Sequence, residues 1–368
     1  RLDADLPQAI DRLMAFVRIP SISTDPAYDG EVFNAASWLT DELRDVGFAA
    51  EIRETEGHPM VVAHGPEGAD KTLLFYGHYD VQPVDPLNLW DTAPFEPSID
   101  ETPEGPVIRG RGTSDDKGQL MTFVEACRAW KAVHGELPRG LTLLFEGEEE
   151  SGSDSLTPFL KANRDELSQS LALICDTGRA ADGRPAIATQ LRGLVGEEII
   201  VRGADRDLHS GSFGGLAANP IQILCNALAG LKDANGRVTL PGFYDGVEDL
   251  SDDLRRDWEA LNFDASEFLS RVGLKHPIGE KGRTGLEMVW NQPTAEINGI
   301  TGGYTGDGFK TVLPAEARAK VSFRLTGTQD PDKIRAAFRA HIERFIPEDC
   351  TVEFHEHGGS PAAVMDTS

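Results

Sequence analysis

Apolar residues along this chain recur in two rhythms. Over 6–18 and 33–46 they return every three to four positions, the spacing of a helix with one buried stripe. Three short runs break that rhythm: Thr72–Tyr76, Leu141–Phe145 and Leu171–Cys175. Each is continuous rather than alternating, as expected of strands buried on both faces of a parallel sheet. Between the first two, a helix is predicted from Asp116 to Val133, with Leu120, Phe123, Val124, Cys127 and Trp130 on one face. This alternation predicts an α/β domain: a mainly parallel sheet with helices on both faces.

The character changes near Arg192. A strand is expected over 195–202, a helix over 219–232, strands over 294–300 and 316–325, a helix over 331–346 and a strand over 350–355. The order β-α-β-β-α-β is that of a ferredoxin-like α+β domain. Residues 240–290 are acidic and mixed and give no clear period, and no internal repeat is visible.

Composition narrows the function. Hydrophobic residues make up 40% of the 368, enough for a sizeable core. Lys plus Arg number 35 against 61 Asp plus Glu, a net charge of −26. That balance argues against nucleic acid and anionic membrane as partners, and leaves cation binding open. No apolar run approaches the ~20 residues of a membrane span, and no secretory leader pattern opens the sequence. Cys127, Cys175, Cys225 and Cys350 lack metal-type pair spacing and read as buried free thiols, which suits a reducing cytoplasm.

The chemistry follows the buried runs. After Tyr76 comes Gly77-His78-Tyr79-Asp80, after Phe145 comes Glu146 to Glu150, and after Cys175 comes Asp176. Ligands of open α/β sheets bind beyond the carboxyl ends of the strands, so one rim receives a histidine and several acids. Asp115-Asp116, just ahead of the helix at Lys117, adds two more, although acids there also suit a helix N-terminus. One imidazole with several carboxylates is a ligand set for zinc, manganese or a similar divalent ion. Of Glu149 and Glu150, one can bind metal while the other accepts a proton from water. His78 and Asp80 share a side of an extended segment, so one can ligate and the other orient it. Each motif alone has an ordinary explanation; their joint placement after successive strands carries the inference.

Five segments together resemble a known family: GHYDVQP at Gly77–Pro83, GRGTSDDKG at Gly110–Gly118, EGEEESGS at Glu146–Ser153, Asp176, and DLHSG at Asp207–Gly211. They are similar to the dimeric two-metal metallopeptidases that include carnosine-type dipeptidases, glutamate carboxypeptidase, acetylornithine deacetylase and succinyl-diaminopimelate desuccinylase. Trp90 and Pro94–Pro97 tilt the resemblance toward the dipeptidase branch. The resemblance implies two divalent ions, zinc foremost and manganese or cobalt as alternatives. His78, Asp115 and Asp176 would hold one; Asp115 would bridge to the second, also held by Glu150. Glu149 would be the general base and Asp80 the support of His78. The Asp115–Asp116 peptide would be cis. His209 would reach into a second copy's site to stabilise the oxyanion, and Arg324 would read the substrate carboxylate. Gly302–Gly308 resembles a substrate loop of the same domain.

The implied organisation is a catalytic domain over 1–191, an inserted lid and homodimerisation domain over 192–358, and the start of a return to the catalytic domain over 359–368. The family also has a histidine ligand near its C-terminus. His355 and His357 fall in a lid strand, not in that motif, so the expectation is that the natural chain runs beyond Ser368 and that the metal of Asp115 and Glu150 lacks a ligand here. The expected activity is amide hydrolysis of dipeptides or short peptides by a cytoplasmic homodimer. Deacylation of N-acyl amino acids is the alternative within the same chemistry. A catalytically inactive dimeric binding protein is the alternative from another class.

Overall fold

The computed structural model describes residues 1–68, 73–103, 105–178 and 186–365. Thr72, at the head of the first expected strand, and 366–368 lie outside the described residues. The chain divides into two compact units, Arg1–Ala186 and Ile187–Ser368.

The first unit opens with α1 (Leu2–Val17) and α2 (Asp29–Val46), then β1 (Ala49–Arg53), β2 (Met60–His64) and β3 (Leu73–His78). A hairpin, β4 (Ser98–Thr102) and β5 (Gly105–Arg109), precedes α3 (Lys117–His134). Then come β6 (Leu141–Glu146), α4 (Leu156–Ala162), α5 (Arg164–Leu167) and β7 (Leu171–Ile174). The sheet order is β1-β2-β6-β3-β7. All three expected strands are present and parallel to one another; β2 pairs antiparallel with β6, and β1 antiparallel with β2, which makes the sheet mixed.

Side-chain alternation gives this sheet two apolar faces. Val61, Ala63, Phe75, Leu143 and Phe145 pack with Leu39, Leu43, Leu120 and Val124 of α2 and α3. Met60, Val62 and Leu144 pack on the other face with Leu156, Phe159 and Leu167 of α4 and α5. Helices therefore cover both faces. The expectation of full burial fails at β7, an edge strand whose Leu171, Leu173 and Ile174 are exposed. Trp130 departs from the buried stripe of α3; it is half exposed and lies against His134.

The second unit contains β8 (Gln190–Leu191), β9 (Gly193–Arg202), β10 (Leu208–His209), α6 (Ser210–Phe213) and α7 (Pro220–Ala229). The stretch without a clear period contains two short helices, α8 (Asp252–Ala260) and α9 (Ala265–Ser270), and a π-helical turn at Glu287–Asn291. After these come β11 (Thr294–Gly302), β12 (Val312–Leu313), β13 (Glu316–Leu325), α10 (Pro331–Glu343), β14 (Thr351–Ser360) and β15 (Ala363–Val364). The antiparallel sheet runs β11-β13-β9-β14, so β9-α7-β11-β13-α10-β14 is the ferredoxin-like arrangement. Ala317, Ala319, Val321, Phe323 and Leu325 of β13 alternate inward against Leu224 and Leu228 of α7 and Phe338 of α10. Arg318, Lys320 and Arg324 alternate outward. His355 and His357 lie in β14, and Ala363–Val364 pairs with Gln190–Leu191. The cysteines are free, but Cys225 is exposed, because it falls on the outer face of α7.

Candidate functional site

Strand β3 ends in His78, β6 ends in Glu146, and Asp176 follows β7. Parallel pairing of β3 with both neighbours brings these carboxyl ends to one rim.

His78 is fully buried, and its two ring nitrogens face different groups. Nδ1 lies 3.1 Å from the Asp80 carbonyl and 3.2 Å from Asp80 Oδ1, both acceptors, so Nδ1 carries the proton. Nε2 faces Asp115 Oδ1 at 3.1 Å, Asp176 Oδ2 at 3.8 Å and Glu149 Oε2 at 3.9 Å. A lone pair facing carboxylates is repulsive unless a proton or a cation lies between them. Without a cation, burial works against the imidazolium, but the hydrogen bond and charge of Asp80, with Asp116 and Glu149, outweigh burial and hold His78 at about 10. His78, Glu149 and Asp176 offer ligand atoms all within 4.8 Å of one another. This donor set of one imidazole and oxygen anions fits a divalent cation.

The carboxylates record the same crowding. Burial, with the charges of Glu150 and Asp176, pushes Glu149 up to about 7 despite the opposing charge of His78. Glu150 and Asp176 are also raised, first by burial and then by the charge of Asp115. Asp116 is raised to about 7 by burial; its Oδ2 accepts the His78 amide at 3.1 Å, while its buried Oδ1 has no partner among the described residues. The Asp115–Asp116 peptide is cis, as expected.

Asp80 is the hub of this rim. Fully buried, its Oδ1 faces His78 Nδ1 and accepts the Glu149 amide at 3.3 Å, and its Oδ2 accepts the Glu150 amide at 3.0 Å and the Ser23 hydroxyl at 2.6 Å. The acid run 146–150 divides its labour accordingly. Glu146 is buried and accepts from the Tyr76 and Ser153 hydroxyls. Glu148 is buried and accepts the His58 and Ser155 amides. Glu149 and Glu150 turn to the rim, and Gln82 Nε2 donates to Glu150 Oε2 at 2.6 Å. The corner before α3 is equally constrained. A Cβ on Gly118 would lie 2.0 Å from the Thr113 carbonyl oxygen. Lys117 is fully buried, lowered to about 7 by desolvation, and donates to the Phe16 and Ile19 carbonyls at 3.1 and 2.7 Å. Ser23, Gln82 and Lys117 were not among the expected site residues.

Two expected residues belong to the second unit. His209 is exposed at the end of β10; the Gly211 amide donates to its Nδ1 at 3.0 Å, which leaves the ring proton on Nε2, 3.2 Å from Thr311 Oγ1. Arg324 is exposed on β13, opposite Thr294 and Leu194. Its charge, after desolvation, lowers the pKa of half-buried Arg192.

The chain is similar to metallodipeptidases of known sequence and structure. A Cys-Gly metallodipeptidase of Saccharomyces cerevisiae is 30% identical over 97% of this chain and 78% of its own length. A human Beta-Ala-His dipeptidase is 28% identical over 93% of this chain and 70% of its own. Among solved structures, a yeast di-peptidase superimposes with a TM-score of 0.87 at 28% identity, covering 99% of this chain and 80% of that one. Human carnosine dipeptidase 1 gives a TM-score of 0.88 at 26% identity over the same shares. The resemblance read from the motifs is therefore correct, including its tilt toward the dipeptidase branch. Residues 74–368 match the peptidase family M20/M25/M40, and the chain belongs to that family of metal-dependent peptidase hydrolases.

Proposed function

We propose that this protein hydrolyses the amide bond of dipeptides at the rim around His78, with Glu149 as general base. The observation that carries the reading is the set of carboxylates gathered around Nε2 of a buried imidazole, Glu149 among them.

His78, Asp115 and Asp176 are the proposed ligands of one divalent ion, and Asp115 and Glu150 of a second, with zinc as the preferred metal. When bound there, such an ion supplies Lewis-acid polarisation of a carbonyl and lowers the pKa of water. The chain's own groups do the rest. Asp80 holds the ring and tautomer of His78 and the backbone of Glu149 and Glu150. Glu149 takes a proton from water and returns it to the leaving amine. His209, with its proton on Nε2, reaches into a second copy's site and donates to the developing oxyanion. Arg324 pairs with the free carboxylate of the substrate through its planar fork. The domains are proposed as catalytic (1–191), lid and homodimerisation (192–358) and returning (359–368). Relatives named as Cys-Gly and Beta-Ala-His dipeptidases support a dipeptide substrate. The free cysteines suit a cytoplasmic protein, and no described helix is long and apolar enough to cross a membrane.

The test is product release from Cys-Gly, β-Ala-His and an N-acetyl amino acid, each with added zinc, manganese or cobalt. Dipeptide cleavage that a chelator abolishes is the expected result. Preference for the acetylated substrate would make the protein a deacylase. Metal binding without turnover of any of the three would make it a binding homologue.

A further inference from the structure

The residues that follow α1 pass directly beneath the rim, yet they precede the family match, which begins at residue 74. Several ties hold this segment whatever Ser23 does. The Ser21 hydroxyl donates to the Tyr79 carbonyl at 2.6 Å, and the Val81 amide donates to the Ser21 carbonyl at 2.9 Å. Ile22 forms a parallel bridge with Val81. The Lys117 ammonium grips the Phe16 and Ile19 carbonyls. Ser23 adds a bond of another kind: its hydroxyl donates to a buried carboxylate oxygen, Asp80 Oδ2, at 2.6 Å.

We propose that Ser23 is a positioning residue of the catalytic centre, an inference that rests on the function proposed above. Asp80 has two oxygens with separate tasks. Oδ1 serves His78 Nδ1 and the Glu149 amide; Oδ2 serves the Glu150 amide. Rotation of the carboxylate about its Cβ–Cγ bond would disturb all three at once. A backbone amide and a hydroxyl converging on Oδ2 fix that rotation. Removing the hydroxyl leaves Oδ2 with the Glu150 amide alone, in a place closed to solvent, since Asp80 is fully buried. The His78 ring and the Glu149–Glu150 backbone then lose a common reference. Groups that orient a ligand histidine in this way typically matter about 10- to 100-fold in metal affinity or activity.

The experiment compares Ser23→Ala, Ser23→Thr and Ser21→Ala with the wild type, all loaded with metal. Cobalt(II) affinity is measured by absorption titration against a chelator, kcat and KM on Cys-Gly, and folding by thermal melting. Ser23→Ala is expected to lose about tenfold in both cobalt affinity and kcat, with KM within about twofold. Ser23→Thr, which keeps the hydroxyl, should recover both. Ser21→Ala removes an equally short bond from the same segment, but to a backbone carbonyl, and should stay within about threefold. Wild-type values in Ser23→Ala, equal losses in Ser21→Ala, or no recovery in folded Ser23→Thr would overturn the proposal. A wild type that binds cobalt and cleaves no dipeptide would overturn the proposed function instead, while cobalt affinity would still decide the role of Ser23. A wild type that binds no cobalt would overturn both.

Discussion

Replacing Glu149 by Gln separates two roles that the geometry places side by side. Glu149 Oε2 lies 3.9 Å from His78 Nε2 and within ligand distance of Asp176, so by position alone it is either a metal ligand or a base. Glutamine keeps the volume of the side chain and the backbone bond to Asp80 at 3.3 Å. It removes only the group that can take a proton. A positioned base contributes about 10²- to 10⁴-fold, so kcat should fall by that factor, ~3–5 kcal/mol in the barrier. Loss of one negative charge also removes the repulsion between Glu149 and the neighbouring Glu150 and Asp176. Metal uptake should accordingly change by less than about tenfold, far below the cost of deleting a ligand. The assay pairs steady-state hydrolysis of Cys-Gly with elemental analysis of the same dialysed samples. Activity within twofold of wild type would refute the base. Metal lost in parallel with activity would make Glu149 a ligand and require another base.

Other perturbations reach the same rim from different directions. In metal-free protein, Asp116 and Glu149 hold protons up to about 7 that the unfolded chain has already released, so their contribution to stability is full below the unfolded values and is lost as pH rises through the folded ones. The melting temperature of metal-free protein should therefore fall between pH 5 and pH 8, and saturating zinc should flatten that slope; a midpoint that rises with pH in the absence of metal would contradict the assignment. Gly118→Ala puts a methyl group 2.0 Å from the Thr113 carbonyl, so the corner carrying Asp115 must move, and elemental analysis should find at least about a tenfold loss of metal affinity. His209→Ala should lose about 10²- to 10³-fold in kcat while light scattering reports the same mass as for the wild type; a lower mass would mean that its role is assembly.

The rim was legible because its signal is local. A buried run followed at once by His78, by 146–150 or by Asp176 can be read from a few residues, and parallel pairing does the rest. The partners that set the rim's geometry are not local. Ser23 meets Asp80 across 57 positions and Gln82 meets Glu150 across 68, and neither serine nor glutamine stands out in a sequence. For the same reason the tasks of Glu146 and Glu148 are not visible in the sequence: they are set by which hydroxyls and amides fold against each. Strands β1 and β2 escaped notice because AAEIR is mixed and MVVAH is short. The stretch around α8 and α9 escaped because two short helices and a π turn impose no lasting period. Cys225 was misjudged because a helix that is apolar through much of its length still turns one side to water.

The outward row of β13 has a consequence for how a substrate arrives. At a distance, an anionic solute meets a protein of net charge −26 and is repelled. At the carboxylate contact proposed for Arg324 it meets a guanidinium, with Arg192 near enough to feel its charge. Ionic strength divides the two regimes. At about 10 mM salt the repulsion reaches roughly 30 Å, whereas near 150 mM it fades beyond roughly 8 Å. Short-range pairing with a guanidinium is screened far less than that distant field. Salt thus removes more of the barrier to approach than of the attraction at contact, as expected where both bodies carry net negative charge, and acidic substrates have most to gain from a physiological ionic strength.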